Sequence, residues 1–159
     1  MTQLQHLAQH LTASRQTLAT AESCTGGLIA HTLTNIPGAS AWFKGGVVAY
    51  ANTAKSDMLG VAPELILQHG AVSAPVAEAM AQGARLRFDT TFAIATTGIA
   101  GPSGGTPAKP VGLVFIAVAS AKTTTASKFL FTGTRARIKR QTLATAIKLL
   151  NARLSLSML

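Results

Sequence analysis

Carboxylates are scarce in this 159-residue chain: five Asp and Glu stand against fourteen Lys and Arg, giving a formal net charge of +9. Missing acids contribute to that charge as much as abundant bases do, and the balance points to an anionic partner without saying which. Aromatics are also few, one Trp, one Tyr and six Phe, and most fall in apolar runs. Base-stacking platforms are therefore not expected, nor is nucleic acid as the partner; a small nucleotide would need far less of the charge. The single cysteine, Cys24, cannot form an internal disulfide and is either a small packed residue or a rival nucleophile. No apolar run approaches the roughly 20 residues of a membrane span, and no basic segment leads into an apolar stretch at the N-terminus. Neither anchor nor signal peptide is expected, which suggests a cytoplasmic location.

What is present is 48% hydrophobic content, enough for one compact domain over residues 1–159. Its organising stretch is Thr20 to Ala30, where β-compatible Thr17 to Ala21 runs through the polar corner Ser23-Cys24-Thr25-Gly26-Gly27 into Leu28, Ile29, Thr32, Leu33 and Ile36 at helical spacing. A strand-to-helix corner presents backbone N–H groups and the positive end of a helix dipole. A serine there can act as a nucleophile whose oxyanion meets those N–H groups. Alternatively, Ser23 or Thr25 only caps the helix.

Before the corner, Thr2 and Gln5 read as a capping box for a helix with Leu4, Leu7, Ala8 and Leu11 on one face. His6 and His10 are four apart on that helix, but no carboxylate or cysteine stands beside them and they read as surface. Beyond the corner, Gly45 to Ala51 reads as a second strand, followed by a helix from Asn52 through Leu59 with Lys55 near its start. A lysine opposes the dipole there, so it is either an exposed side chain or one with a compensating role. Pro63 to Gln68 is a short helix, and Ser73 caps another through Phe88. Thr90 to Thr97 is a third strand, leading into the glycine-rich run Gly98, Gly101, Gly104 and Gly105, which makes tight turns or lets backbone amides approach a ligand. Gly112 to Ser120 and Lys128 to Phe131 read as two strands of an antiparallel hairpin, joined through a Thr-rich turn. The last helix starts near Arg135 with Arg137, Lys139 and Arg140 in its first turns, a solvated face or an anion site. This order predicts an α/β fold, a three-layer α/β/α sandwich with a mixed sheet in a single domain, its ligand beyond the carboxyl ends of the strands.

Five stretches in order, Ala21–Gly27 (AESCTGG), Gly38–Phe43 (GASAWF), Tyr50–Lys55 (YANTAK), Gln68–Ser73 (QHGAVS) and Thr97–Pro102 (TGIAGP), resemble the CinA C-terminal domain family. Its characterised enzymes are nicotinamide-nucleotide amidases (PncC). The resemblance covers about Leu18 to Leu150 and implies hydrolysis of the carboxamide of nicotinamide mononucleotide without a metal or cofactor. Longer members carry a preceding nucleotide-processing domain, and this chain resembles the stand-alone form. Carried over by motif, the family's serine falls on Ser23, its tyrosine on Tyr50, its lysine on Lys55 and a threonine on Thr97. Its substrate-contacting arginine falls on Arg135 or Arg140. Many relatives have Gly-Asp-Arg where this chain has Gly133-Thr134-Arg135.

The residues support the same chemistry. None of the four histidines, His6, His10, His31 and His69, lies in a motif resembling a Ser-His-Asp triad, so a serine nucleophile needs another base. A lysine serves if burial or a neighbouring cation lowers its pKa from ~10.4 toward ~7 to 8. Tyr50 would relay the proton or hold the lysine. The amides of Cys24, Thr25 and Gly26 would form the oxyanion site, with Gly27 completing the corner. The basic cluster or the glycine loop would take the phosphate. A homodimer is a reasonable assembly. The charge also admits a catalytically silent nucleotide- or nucleic-acid-binding module.

Overall fold

A computed structural model describes residues 1–156. The elements run α1 (Gln3–Ser14), β1 (Leu18–Glu22), α2 (Leu28–Thr34), a 3-10 turn (Ala39–Ala41), β2 (Phe43–Val48), α3 (Asn52–Leu59), α4 (Pro63–His69), α5 (Ala74–Phe88), β3 (Phe92–Gly98), β4 (Leu113–Ala119), β5 (Thr124–Leu130) and α6 (Arg135–Leu156). The strands form one sheet in the order β2-β1-β3-β4-β5. β1 is parallel to both β2 and β3, whereas β4 is antiparallel to β3 and to β5. The expected mixed sheet between helices is thus the observed one. No helix among the described residues is long and apolar enough to cross a membrane.

Because strand side chains alternate between faces, each central strand serves two cores. Leu18, Ile94, Val114, Ile116 and Val118 pack with Leu7 and Leu11 of α1, Ile29 and Leu33 of α2, and Ile138, Ile147, Leu150 and Leu154 of α6. The opposite face is a floor of methyl groups, Ala19, Ala21, Ala93, Ala95, Ala117 and Ala119, under Val76, Ala77, Met80, Ala81 and Ala84 of α5. A Cβ at Gly83 would collide with the Leu59 carbonyl, so glycine is what lets α3 and α5 touch backbone to side.

The caps follow the sequence. Thr2 and Gln5 bond reciprocally, at 3.2 and 2.8 Å, and Ser73 accepts from the Val76 amide at 3.4 Å to start α5. α2 stops at Thr34, just ahead of Asn35-Ile36-Pro37-Gly38. Two strands differ from expectation: β2 occupies Phe43–Val48 rather than Gly45–Ala51, and β5 starts at Thr124 rather than Lys128. Thr124 and Thr125 pair with Ala119 and Val118, so the threonine run assigned to a turn is strand, as β-branched residues favour. The turn itself closes when the Ser120 amide donates to the Thr123 carbonyl at 2.8 Å.

Since β1 and β3 are parallel neighbours, with Glu22 opposite Thr96, the corner after β1 and the glycine loop after β3 leave the same edge side by side. The Ser23 amide donates to the Thr96 carbonyl at 3.0 Å, joining them.

Candidate active site

Neither Ser23 nor Thr25 caps α2. Gly27 stands at the cap with φ +97° and no side-chain bond, and the Thr25 hydroxyl pairs with that of Thr96 at 2.8 Å. Glu22 holds the helix start instead: its two carboxylate oxygens accept from the amides of Ile29 and Ala30, each at 2.9 Å. A buried carboxylate at a helix N-terminus satisfies orphan donors and meets the positive end of the dipole. This corrects the expectation that the first-turn amides are open to a ligand. Gly26 is also spent, because its amide donates to the Ser23 carbonyl at 3.0 Å, and Leu28 donates to Thr25 at 3.1 Å. No backbone carbonyl among the described residues accepts from the amides of Cys24, Thr25 or Gly27, the Cys24 amide facing only its own thiol, and the Ser23 hydroxyl has no hydrogen-bond partner there. Thr25 is fully buried, so the oxyanion donor available beside Ser23 is the amide of Cys24, which lines a cavity with it.

Lys55, the fourth residue of α3, is 1% exposed. Its Nζ donates to the Tyr50 carbonyl at 3.2 Å, and burial pushes its pKa below the ordinary lysine value, opposed only by the Cys24 sulfur. Desolvation, rather than a neighbouring cation or the helix end, is the physical cause. Cys24 shows the converse: burial pushes its thiol up to about 11, so the thiolate that a cysteine nucleophile requires is disfavoured.

Ser23, Cys24 and Lys55 share one cavity of about 280 Å³ with Tyr50, Asn52, Ala71, Val72, Thr97, Gly98, Ile99, Ala100, Gly101, Ser103, Gly104 and Arg135. Thr97 is fixed by donating from its hydroxyl to the Ala71 carbonyl at 2.8 Å. Gly98 must lack a side chain, because a Cβ there would lie 2.7 Å from the Leu113 carbonyl oxygen. At the rim, Arg135 donates to the Gly101 carbonyl at 2.9 Å and to the Tyr50 hydroxyl at 2.8 Å. Tyr50 thus holds the lysine through its backbone carbonyl and the arginine through its phenol. Larger hollows exist, one of about 730 Å³ lined by residues including Arg85, Lys122 and Arg153, but those on α1, α6 and the β3–β4 end of the sheet contain neither Ser23 nor Lys55.

Of the expected site residues, the cavity brings together Ser23, Cys24, Tyr50, Lys55, Thr97, Gly98, Gly101, Gly104 and Arg135, whereas Thr25, Gly26, Gly27, Gly105 and Arg140 stand outside its lining. Arg140 is exposed. Lys139 reaches the corner instead, its Nζ 3.6 Å from where a Gly26 Cβ would stand. It is one helical turn from Arg135, so both cations share a face of α6. Thr134 accepts from the Arg137 amide at 3.3 Å, capping the start of α6 without adding a charge. Sequence reasoning missed Glu22, Asn52, Ala71, Val72, Ile99, Ala100 and Ser103, and it named Lys139 only as one of the basic cluster. Only the i, i+4 spacing of Arg135 and Lys139 carried a usable signal.

A family model described as the CinA C-terminal domain matches residues 2–154. A CinA-like protein of Mycolicibacterium gilvum is 54% identical, over 88% of this chain and 33% of the relative. One from Geobacter metallireducens is 54% identical over 87% and 33%. The chain spans about a third of the length of these curated relatives. Among solved structures, the competence/damage inducible protein CihA from Agrobacterium tumefaciens aligns with a TM-score of 0.89 at 42% identity, covering 96% of each chain. A CinA superfamily protein from Klebsiella pneumoniae aligns with a TM-score of 0.93 at 32% identity, also over 96% of each.

Proposed function

This chain belongs to the CinA C-terminal domain family, and from that premise we propose that its cavity hydrolyses the carboxamide of nicotinamide mononucleotide to nicotinate mononucleotide and ammonia. The observation that carries the reading is an amine 1% exposed, held by one carbonyl, in the same cavity as an unpartnered serine hydroxyl. Burial favours the neutral amine, which can accept a proton.

In this mechanism Ser23 Oγ attacks the carboxamide carbon and its proton passes to Lys55 Nζ. The oxygen that becomes negative is met by the amide of Cys24, a donor of a kind typically worth ~10² to 10³ in rate. Lys55 then returns the proton to the departing nitrogen; the C–N bond breaks, ammonia leaves, and an ester remains on Ser23. Water attacks the ester carbon with Lys55 again taking the proton. The C–O bond to Ser23 breaks, the serine recovers its proton, and the carboxylate product leaves. Arg135 and Lys139, on one face of α6, would take the substrate's phosphate at the rim.

The test is ammonia release from nicotinamide mononucleotide by the wild type, Ser23→Ala and Lys55→Met. Turnover by the wild type that both substitutions abolish is expected; full activity in either variant removes that residue from the mechanism. Duplex binding that weakens steeply with salt, without turnover of any pyridine nucleotide, would instead favour the catalytically silent module.

A further inference from the structure

The segment between β3 and β4 contributes Gly101, Ser103 and Gly104 to the cavity, then runs exposed from Pro102 to Ala108. Two cations tie it to the rest of the molecule. Arg135 holds its base at the Gly101 carbonyl. Beyond the exposed run, Lys109 Nζ donates to the His69 carbonyl at 2.7 Å, where α4 ends. The tie is shaped on both sides. The Lys109 amide donates to the Thr106 hydroxyl at 3.0 Å and the Thr106 amide to the Lys109 carbonyl at 2.8 Å, closing a small turn that presents the side chain. Across the gap, a Cβ on Gly70 would stand 2.7 Å from Lys109 Nζ, so the bare glycine leaves room for the ammonium.

The partner segment is itself a cavity wall. Immediately after His69 and Gly70 come Ala71 and Val72, which line the cavity, and Ala71 is fixed to Thr97. We infer that Lys109 is a positioning residue for the proposed reaction: by tying the glycine loop to the end of α4 it fixes the separation of two cavity walls and so the fit of the substrate. At about 280 Å³ the cavity lies at the small end of ligand sites, roughly 300 to 1,000 Å³, so a slight movement of the loop is a large fractional change. Ser23 and Lys55 stand on other elements, the β1 corner and α3. Releasing the tie therefore weakens ground-state and transition-state binding alike and leaves the reacting groups in place.

The kinetic arm of the test rests on the proposed amidase activity; the exchange arm does not. In substrate-free protein, Lys109→Met is expected to speed hydrogen exchange of the two loop amides that the turn protects, those of Thr106 and residue 109, by roughly 3- to 10-fold, the loss of one charged hydrogen bond at a half-exposed site. Exchange in α5 should be unchanged, and Lys109→Arg, whose fork reaches the same carbonyl, should restore slow exchange. With nicotinamide mononucleotide, Lys109→Met should raise KM by a similar factor at nearly constant kcat. Loop exchange identical to wild type overturns the inference whatever the activity, as does a kcat that falls in step with kcat/KM. A wild type without turnover defeats the amidase reading alone, and the exchange comparison still decides the tie.

Discussion

Replacing Lys55 by methionine keeps the unbranched apolar stem and deletes only the amine, which isolates the group on which the mechanism depends. In the folded chain that amine is 1% exposed with one hydrogen bond, and burial lowers its pKa; in the unfolded chain it titrates near 10.5. Between the lowered folded value and the unfolded one, the unfolded state binds more protons. Wild-type stability therefore rises with pH across that window, with a limiting slope of about 1.4 kcal/mol per pH unit. Below the window both states are protonated and the full cost of burying the ammonium is felt; above it both are neutral. The stability of Lys55→Met relative to wild type should accordingly be greatest at low pH and decline as pH climbs, other titrations cancelling in the difference. Urea unfolding of both proteins from pH 6 to 10 measures this, and the pH dependence of kcat/KM should show a limb in the same range as the stability difference. Lys55→Met itself should lower kcat by ~10² to 10⁴, the usual worth of a positioned general base. Parallel stability curves would refute the reasoning, since they would mean that the amine titrates alike folded and unfolded and is an ammonium at neutral pH.

Cys24→Ala should retain ammonia release to within a few-fold, because a thiol pushed up to about 11 supplies little nucleophile near pH 7; a loss as large as that of Ser23→Ala would reverse the two roles. Tyr50→Phe removes the hydroxyl that accepts from Arg135 but keeps the carbonyl that accepts from Lys55. It should raise KM several-fold, by about 1 kcal/mol, and leave the pH–rate limb where it was; a displaced limb would show that the phenol acts on the lysine. Glu22→Gln leaves one acceptor oxygen for two amides, so one loses its partner in a buried site. A lower urea midpoint, with a loss on the order of 1 to 3 kcal/mol, is expected, and an unchanged midpoint would show the carboxylate dispensable.

Much of this architecture is legible along the chain because period and punctuation agree. The capping boundaries at Thr2 and Ser73, proline at the start of α4 and the glycines beyond β3 all mark real element ends. The threonines of β5 were opaque because a turn and an edge strand draw on overlapping residue types there, and only pairing with β4 decides between them. At the site, Ser23 and Lys55 stood out through local motifs. Glu22 did not, since it accepts from amides seven and eight residues onward, a reach no capping rule anticipates. Nor could spacing reveal that burial acts on Lys55, or that Arg140 faces solvent while Lys139 turns to the corner.

The floor of alanines beneath α5 makes that helix a shim of fixed thickness. The strands offer α5 mostly methyl groups, so few long side chains, Met80 among them, are there to absorb a change. α5 begins at Ser73, directly after the Ala71 and Val72 wall. Extra bulk at Ala95 or Ala117 would lift the whole helix and carry that wall with it. The hollow that holds the serine and the lysine can thus be recalibrated from beneath α5, without altering a residue inside it.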